Sequence, residues 1–129
     1  MKYAVDTSIL VDHLRNYRPA VELINRLLAE DAQLVSSFVI RTEVLAGMRR
    51  GEENSTLRLL GLVEWDPVGE RESDAAGALG RRHLPANSGI DTPDLVLAEV
   101  AQRQGAELLT LNVKHFKEMF PGLEAPYAD

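Results

Sequence analysis

Hydrophobic and polar positions along this chain follow two alternating periods. Short apolar runs at residues 2–6 (KYAVD), 33–37 (QLVSS), 63–68 (VEWDPV) and 106–111 (AELLTL) are bounded by turn formers and read as strands. Between them apolar residues recur at three- and four-residue spacing, as in 19–30, where Ala20, Ile24, Leu27 and Leu28 share a face. This spacing predicts helices over 7–16, 19–30, 38–50, 54–62, 70–83, 92–105 and 112–120.

Local signals support those limits. Thr7 or Ser8 would cap the first helix, Pro19 would open the second, Gly51 would close the third, and Asn54 or Ser55 would cap the fourth. The fifth contains Gly77 and Gly80, both poor helix formers. Thr92 would cap the sixth, with Pro93 at its first position and Gly105 as its stop. Residues 84–91 (LPANSGID) read as a loop, and the chain from Pro121 as a loose tail. The order β-α-α-β-α-α-β-α-α-β-α predicts an α/β sandwich on a mainly parallel sheet, with any ligand at the carboxyl ends of its strands.

A length of 129 residues predicts one domain, 1–129. The absence of cysteine removes disulfides, thiolate zinc sites and cysteine nucleophiles. No run resembles a signal peptide or a membrane span, so a soluble, cytoplasmic protein without membrane attachment is expected. With 20 acidic against 14 basic residues the net charge is −6, which argues against a passive coat on nucleic acid. It leaves room for an enzyme whose acids gather around a cation.

Asp6 ends the first strand, Glu43 lies in the helix after the second, Asp94 opens the helix before the fourth, and Asn112 follows the fourth. Glu43 is flanked at three and four residues by Val39, Ile40, Ala46 and Gly47, an apolar setting in which a buried charge needs compensation. A metal would supply it; so would solvent, or Arg41 or Arg50. Asp6 could equally be a cap, and Asp91 and Asp94 suit the start of a helix. Taken together they are hard oxygen donors suited to Mg²⁺ or Mn²⁺, which could activate water and clamp phosphate oxygens. His13, His83 and His115 show no ligand spacing; His115 is placed on the surface of the last helix, and no histidine general base is expected.

The stretches YAVDTSILVDHL, SSFVIRTEVLAGMRRG and GIDTPDLVLAEVAQRQGAELLTLNVKHF resemble, in order and over nearly the whole chain, the motifs of PIN-domain ribonucleases of the VapC toxin type. The resemblance implies a PIN-like three-layer α/β/α sandwich with a central, mainly parallel sheet of four or five strands. It implies a catalytic set of Asp6, Glu43, Asp94 and Asn112. Asp6 and Asp94 would be the principal ligands of Mg²⁺ or Mn²⁺, and Glu43, Asp91 and Asn112 further candidates. Thr7, Ser8 and Thr110 would orient the carboxylates.

The resemblance also implies hydrolysis of RNA by water, leaving a 3′-hydroxyl and a 5′-phosphate. A homodimer and a cognate VapB-like antitoxin that blocks the site and binds operator DNA are further implications. Arg41, Arg49, Arg50, Arg81, Arg82 and Lys114 are candidate phosphate contacts. The chain departs from the family in having Glu99 where a small residue is usual, expected here to face solvent, and Asn112 where an aspartate is common.

The competing classes are a solitary PIN-fold nuclease, a silent binding module outside a toxin–antitoxin pair, and a phosphoaspartyl enzyme. A haloacid-dehalogenase pattern needs an aspartate two residues after the first, where this chain has Ser8.

Overall fold

The computed structural model describes residues 1–86 and 89–128; residues 87 and 88 of the expected loop 84–91 lie outside the described residues. The element order is β1 (Lys2–Val5), α1 (Thr7–Leu14), α2 (Arg18–Ala29), β2 (Gln33–Ser37), α3 (Phe38–Ala46), α4 (Glu53–Leu60), β3 (Val63–Asp66), α5 (Glu70–His83), α6 (Thr92–Gln104), β4 (Glu107–Leu109) and α7 (Val113–Phe116). This is the predicted sequence of elements. Its strands form one sheet in the order β3-β2-β1-β4, and every pairing is parallel.

Burial explains the layering. Successive strand residues point to opposite faces, yet Ala4 and Val5, Leu34 to Ser37, and Leu108 and Leu109 are all buried. Both faces of the sheet are therefore covered. The core runs from Val5, Leu34 and Val35 in the strands to Ile9, Leu10, Ile24, Leu27, Leu60, Leu97 and Phe116 in the helices. Helix α6 is buried at every residue from Asp94 to Ala101. It is an interior helix, apolar almost all round.

Several local expectations change. The N-cap of α1 is Asp6, whose side chain accepts from the Thr7 amide; neither Thr7 nor Ser8 is the cap. The cap of α6 is Asp91, with Pro93 one position further in than expected. A reciprocal pair forms there, Asp94 N donating to Asp91 Oδ1 at 3.1 Å and Asp91 N to Asp94 Oδ2 at 3.2 Å. Helix α3 stops at Ala46, four residues early, and Gly51 instead takes a positive φ of 87° in the connection to α4. The cap position of α4 is held by Glu52 in place of Asn54 or Ser55. Gly105 ends α6 at φ 64° as expected. On α2 the buried stripe is Ala20, Leu23, Ile24 and Leu27, and Leu28 sits at its margin.

Glu99 is buried and does not face solvent. Arg103, one turn along, meets it with Nε–Oε2 at 2.9 Å and Nη2–Oε1 at 3.1 Å, and also reaches Asp66 Oδ2 at 2.8 Å. A partner at i+4 is what lets an acid sit inside α6. The segment after Pro121 is also not loose. Tyr127 donates to Asp12 Oδ2 at 2.9 Å, its ring lies 5.7 Å from that of Tyr17, and Tyr17 donates to the Ala128 carbonyl.

Candidate active site

Strands β2 and β3 extend the sheet to one side of β1, and β4 joins it on the other. That reversal leaves a crevice at the carboxyl ends of β1 and β4, the usual place for a ligand in such sheets. Parallel register sets Val5 opposite Leu109, so Asp6 and Thr110 leave the sheet side by side; the Asp6 amide donates to the Leu109 carbonyl at 3.0 Å. A cavity of about 450 Å³ is lined by Asp6, Thr7, Ser8, Asp12, Glu43, Asp91, Asp94, Asn112 and His115 among others.

Asp6 is 4% exposed and tightly held. Its Oδ1 accepts from Thr7 N at 2.8 Å. Its Oδ2 accepts from Thr110 Oγ1 at 2.6 Å, from Ser8 Oγ at 3.2 Å and from Asn112 Nδ2 at 3.4 Å. The second oxygen is saturated, whereas Oδ1 keeps a lone pair. The Thr110 hydroxyl in turn accepts from the Asn112 amide at 3.0 Å, and the Ser8 hydroxyl from the Leu111 amide at 3.2 Å. The turn after β4 is thereby fixed around the Asp6 carboxylate.

Asp94 is 6% exposed. Burial pushes its carboxyl up to about 6, with the negative charges of Asp91 and Asp6 adding to the rise; the Asp91 amide and His115 pull the other way. All of its contacts fall on Oδ2, and Oδ1 takes no hydrogen bond among the described residues. This carboxylate is costly to charge and has an oxygen to spare. A cation would relieve both conditions.

Glu43 lines the cavity and is exposed, so of the compensations left open for its charge, solvent is available. Its neighbours Ala46 and Gly47 are themselves exposed, because that side of α3 faces solvent. What aims Glu43 inward is Thr7, whose hydroxyl donates to Oε1 at 2.8 Å. Asp91 is exposed at the rim with one oxygen committed to its cap. The four predicted polar residues thus meet on one cavity. Among the described residues no group of three or more acidic or histidine side chains stands close enough together to hold a metal ion.

The six basic candidates do not line the cavity. Arg41 stacks over the Trp65 ring, 5.3 Å from its centroid, which makes it a packing residue first. Arg49 and Arg50 are exposed between α3 and α4, Arg81 and Arg82 on the last turn of α5, and Lys114 on α7.

Two ionisable lining residues were not anticipated, Asp12 and His115. His115 is half-buried, and its Nδ1 stands 2.9 Å from Asp94 Oδ2. Both were within reach of helical spacing. Asp12 lies four residues after Ser8, and His115 three after Asn112.

A PIN-domain family model matches residues 3–119. Ribonuclease VapC19 of Mycobacterium tuberculosis is 38% identical over 123 residues, covering 95% of this chain and 98% of that protein. Among solved structures, a toxin–antitoxin complex from Klebsiella pneumoniae superposes with a TM-score of 0.79 at 26% identity, covering 97% of this chain and 98% of the other. VapBC2 from Rickettsia felis, bound to a DNA fragment from its promoter, superposes with a TM-score of 0.73 at 26% identity, covering 92% of each chain.

Proposed function

We propose that this chain, which belongs to the PIN-domain family and within it to the VapC ribonucleases, is an endoribonuclease toxin that hydrolyses RNA with the help of Mg²⁺ or Mn²⁺. The observation that carries this reading is the meeting of two buried carboxylates, Asp6 and Asp94, on one cavity beyond β1 and β4, with Asp94 held at about 6. Acids gathered at such expense point to a bound cation.

The residues fit that group by type. Asp6 and Asp94 would hold the ion through their available Oδ1 atoms, with Glu43, Asp91 and Asn112 as further oxygen donors. Mg²⁺ keeps several waters and is held by one or two carboxylates, so Asp6 and Asp94 together would suffice. When bound, the ion lowers the pKa of a coordinated water and offsets charge on the phosphate.

The chain's own groups have distinct tasks. Thr110, Ser8 and Asn112 lock Asp6 from one side and leave its other oxygen for binding. Thr7 turns Glu43 into the cavity, where it can orient a water or accept its proton. Arg49, Arg50, Arg81, Arg82 and Lys114 are the proposed phosphate contacts outside the cavity, binding RNA against the net negative charge.

Neighbours solved as toxin–antitoxin complexes, one with promoter DNA, support a cognate VapB-like antitoxin. Its covering of this cavity and its carrying of the operator-binding part belong to the same proposal. A homodimer belongs to the same proposal. Purified protein incubated with RNA in Mg²⁺, Mn²⁺ or EDTA tests the enzymatic reading. Cleavage that needs the divalent ion and disappears in Asp94→Asn supports it. Absence of cleavage under every divalent ion leaves a binding module. Co-purification with the product of a small adjacent reading frame tests the antitoxin.

A further inference from the structure

Asn112 and His115 face the cavity from a single turn of chain, yet they serve different acids. Asn112 reaches Asp6 Oδ2 at 3.4 Å, whereas His115 Nδ1 stands 2.9 Å from Asp94 Oδ2. Among the described residues lining the cavity, His115 is the only Lys, Arg or His. Its Nδ1 is fully enclosed, and although Asp94 is within contact distance the N–H does not point along a hydrogen-bonding direction. No other acceptor among the described residues takes it. A small rotation of the ring or the carboxylate would align the pair.

We propose that His115 is a positioning residue for Asp94, its Nδ1–H occupying Oδ2 so that Oδ1 is the oxygen presented to the cavity. The inference rests on the metal-dependent reading above. The packing gives it a physical basis. Among the described residues the Asp91 amide at 3.2 Å is the backbone donor to the Asp94 carboxylate, and it also falls on Oδ2. Two donors on one oxygen fix the carboxylate about its terminal torsion, which otherwise turns freely. Asp6 is locked by the same principle, with its crowded oxygen turned to the protein. The two carboxylates are thus held in like fashion, one by hydroxyls and an amide, the other by an amide and an imidazole. Partners of this kind, outside the ligands themselves, typically change metal affinity or activity by roughly 10- to 100-fold when removed.

The test compares wild type with His115→Ala, His115→Asn and His115→Gln. Mn²⁺ affinity is read from the metal-induced rise in unfolding temperature, and kcat and KM from RNA cleavage. The side-chain nitrogen of asparagine can stand where Nδ1 stands; that of glutamine stands nearer Nε2. The expected result is a loss of roughly 10-fold or more in Mn²⁺ affinity and in kcat for His115→Ala, with KM little changed. His115→Asn should recover most of the loss and His115→Gln little, while the metal-free unfolding temperature stays within a few degrees across the set.

Equal Mn²⁺ affinity in wild type and His115→Ala overturns the proposal, as does recovery by Gln and not Asn, or a change confined to KM. Wild type that binds Mn²⁺ but cuts no RNA overturns the nuclease reading alone, since the variants' affinities still decide His115. Wild type that binds no Mn²⁺ overturns both.

Discussion

Substituting Asp94 by asparagine should stabilise the metal-free protein while abolishing its chemistry. The carboxyl is 6% exposed and sits at about 6, against 3.8 for an ordinary aspartate. A difference of about two pH units corresponds to about 3 kcal/mol. The sign follows from proton uptake. Between pH 4 and 6 the folded state holds a proton that the unfolded state has lost, so stability falls as pH rises through that window, and the full cost is present above it.

Asparagine keeps the shape and can still accept from the Asp91 amide, but it carries no charge. Urea unfolding in EDTA at pH 7.5 should therefore show Asp94→Asn more stable by up to about 3 kcal/mol, or a midpoint roughly 10 °C higher on heating. At pH 4 the gap should nearly close. Added Mg²⁺ should raise the stability of wild type, by about 2.7 kcal/mol at one hundred times its Kd, and leave the variant unmoved. An asparagine variant no more stable than wild type at pH 7.5, or a gap that does not change with pH, would refute the account of Asp94.

Other perturbations separate structure from chemistry. Thr110→Val removes the 2.6 Å bond to Asp6 inside a fully buried setting and should cost roughly 1–3 kcal/mol on urea unfolding together with most of the cleavage rate; Thr110→Ser should restore both. Thr7→Val frees Glu43, which is exposed, so cleavage should drop in a steady-state assay while the melting temperature hardly moves. Arg103→Ala leaves Glu99 and Asp66 without their shared partner and should destabilise by about 2 kcal/mol, less than a fully buried pair because Arg103 is 38% exposed; pairing Glu99→Leu with Arg103→Met should recover the Glu99 share in the same unfolding assay, Asp66 keeping Val68 N and Gln104 Nε2 as donors.

The order of elements was legible because each strand is a short apolar run and each helix carries a local start or stop. The site was legible at its corners, since strand-end acids fall at the carboxyl edge of a parallel sheet. What could not be read were the contacts that decide each residue's state. Asp6 serves as cap and cavity acid at once, capping through the Thr7 amide and held by hydroxyls on Ser8 and, 104 residues away, Thr110. Glu43 was left open between a metal and solvent, because apolar neighbours on a short helix do not imply burial when that face meets solvent. Tyr127 reaches Asp12 across 115 residues, a contact no local pattern carries. Glu99 is different. Its partner Arg103 was in view one helical turn away and sufficed to explain an acid inside an apolar helix.

Mapping the ends of RNA cut by the purified protein, with and without a divalent ion, tests the central claim most directly. Carboxylates that serve a metal and a water nucleophile predict cleavage only with Mg²⁺ or Mn²⁺, products ending in 3′-hydroxyl and 5′-phosphate, and no cleavage by Asp6→Asn. Cleavage that persists in EDTA, or products ending in a 2′,3′-cyclic phosphate, would contradict it.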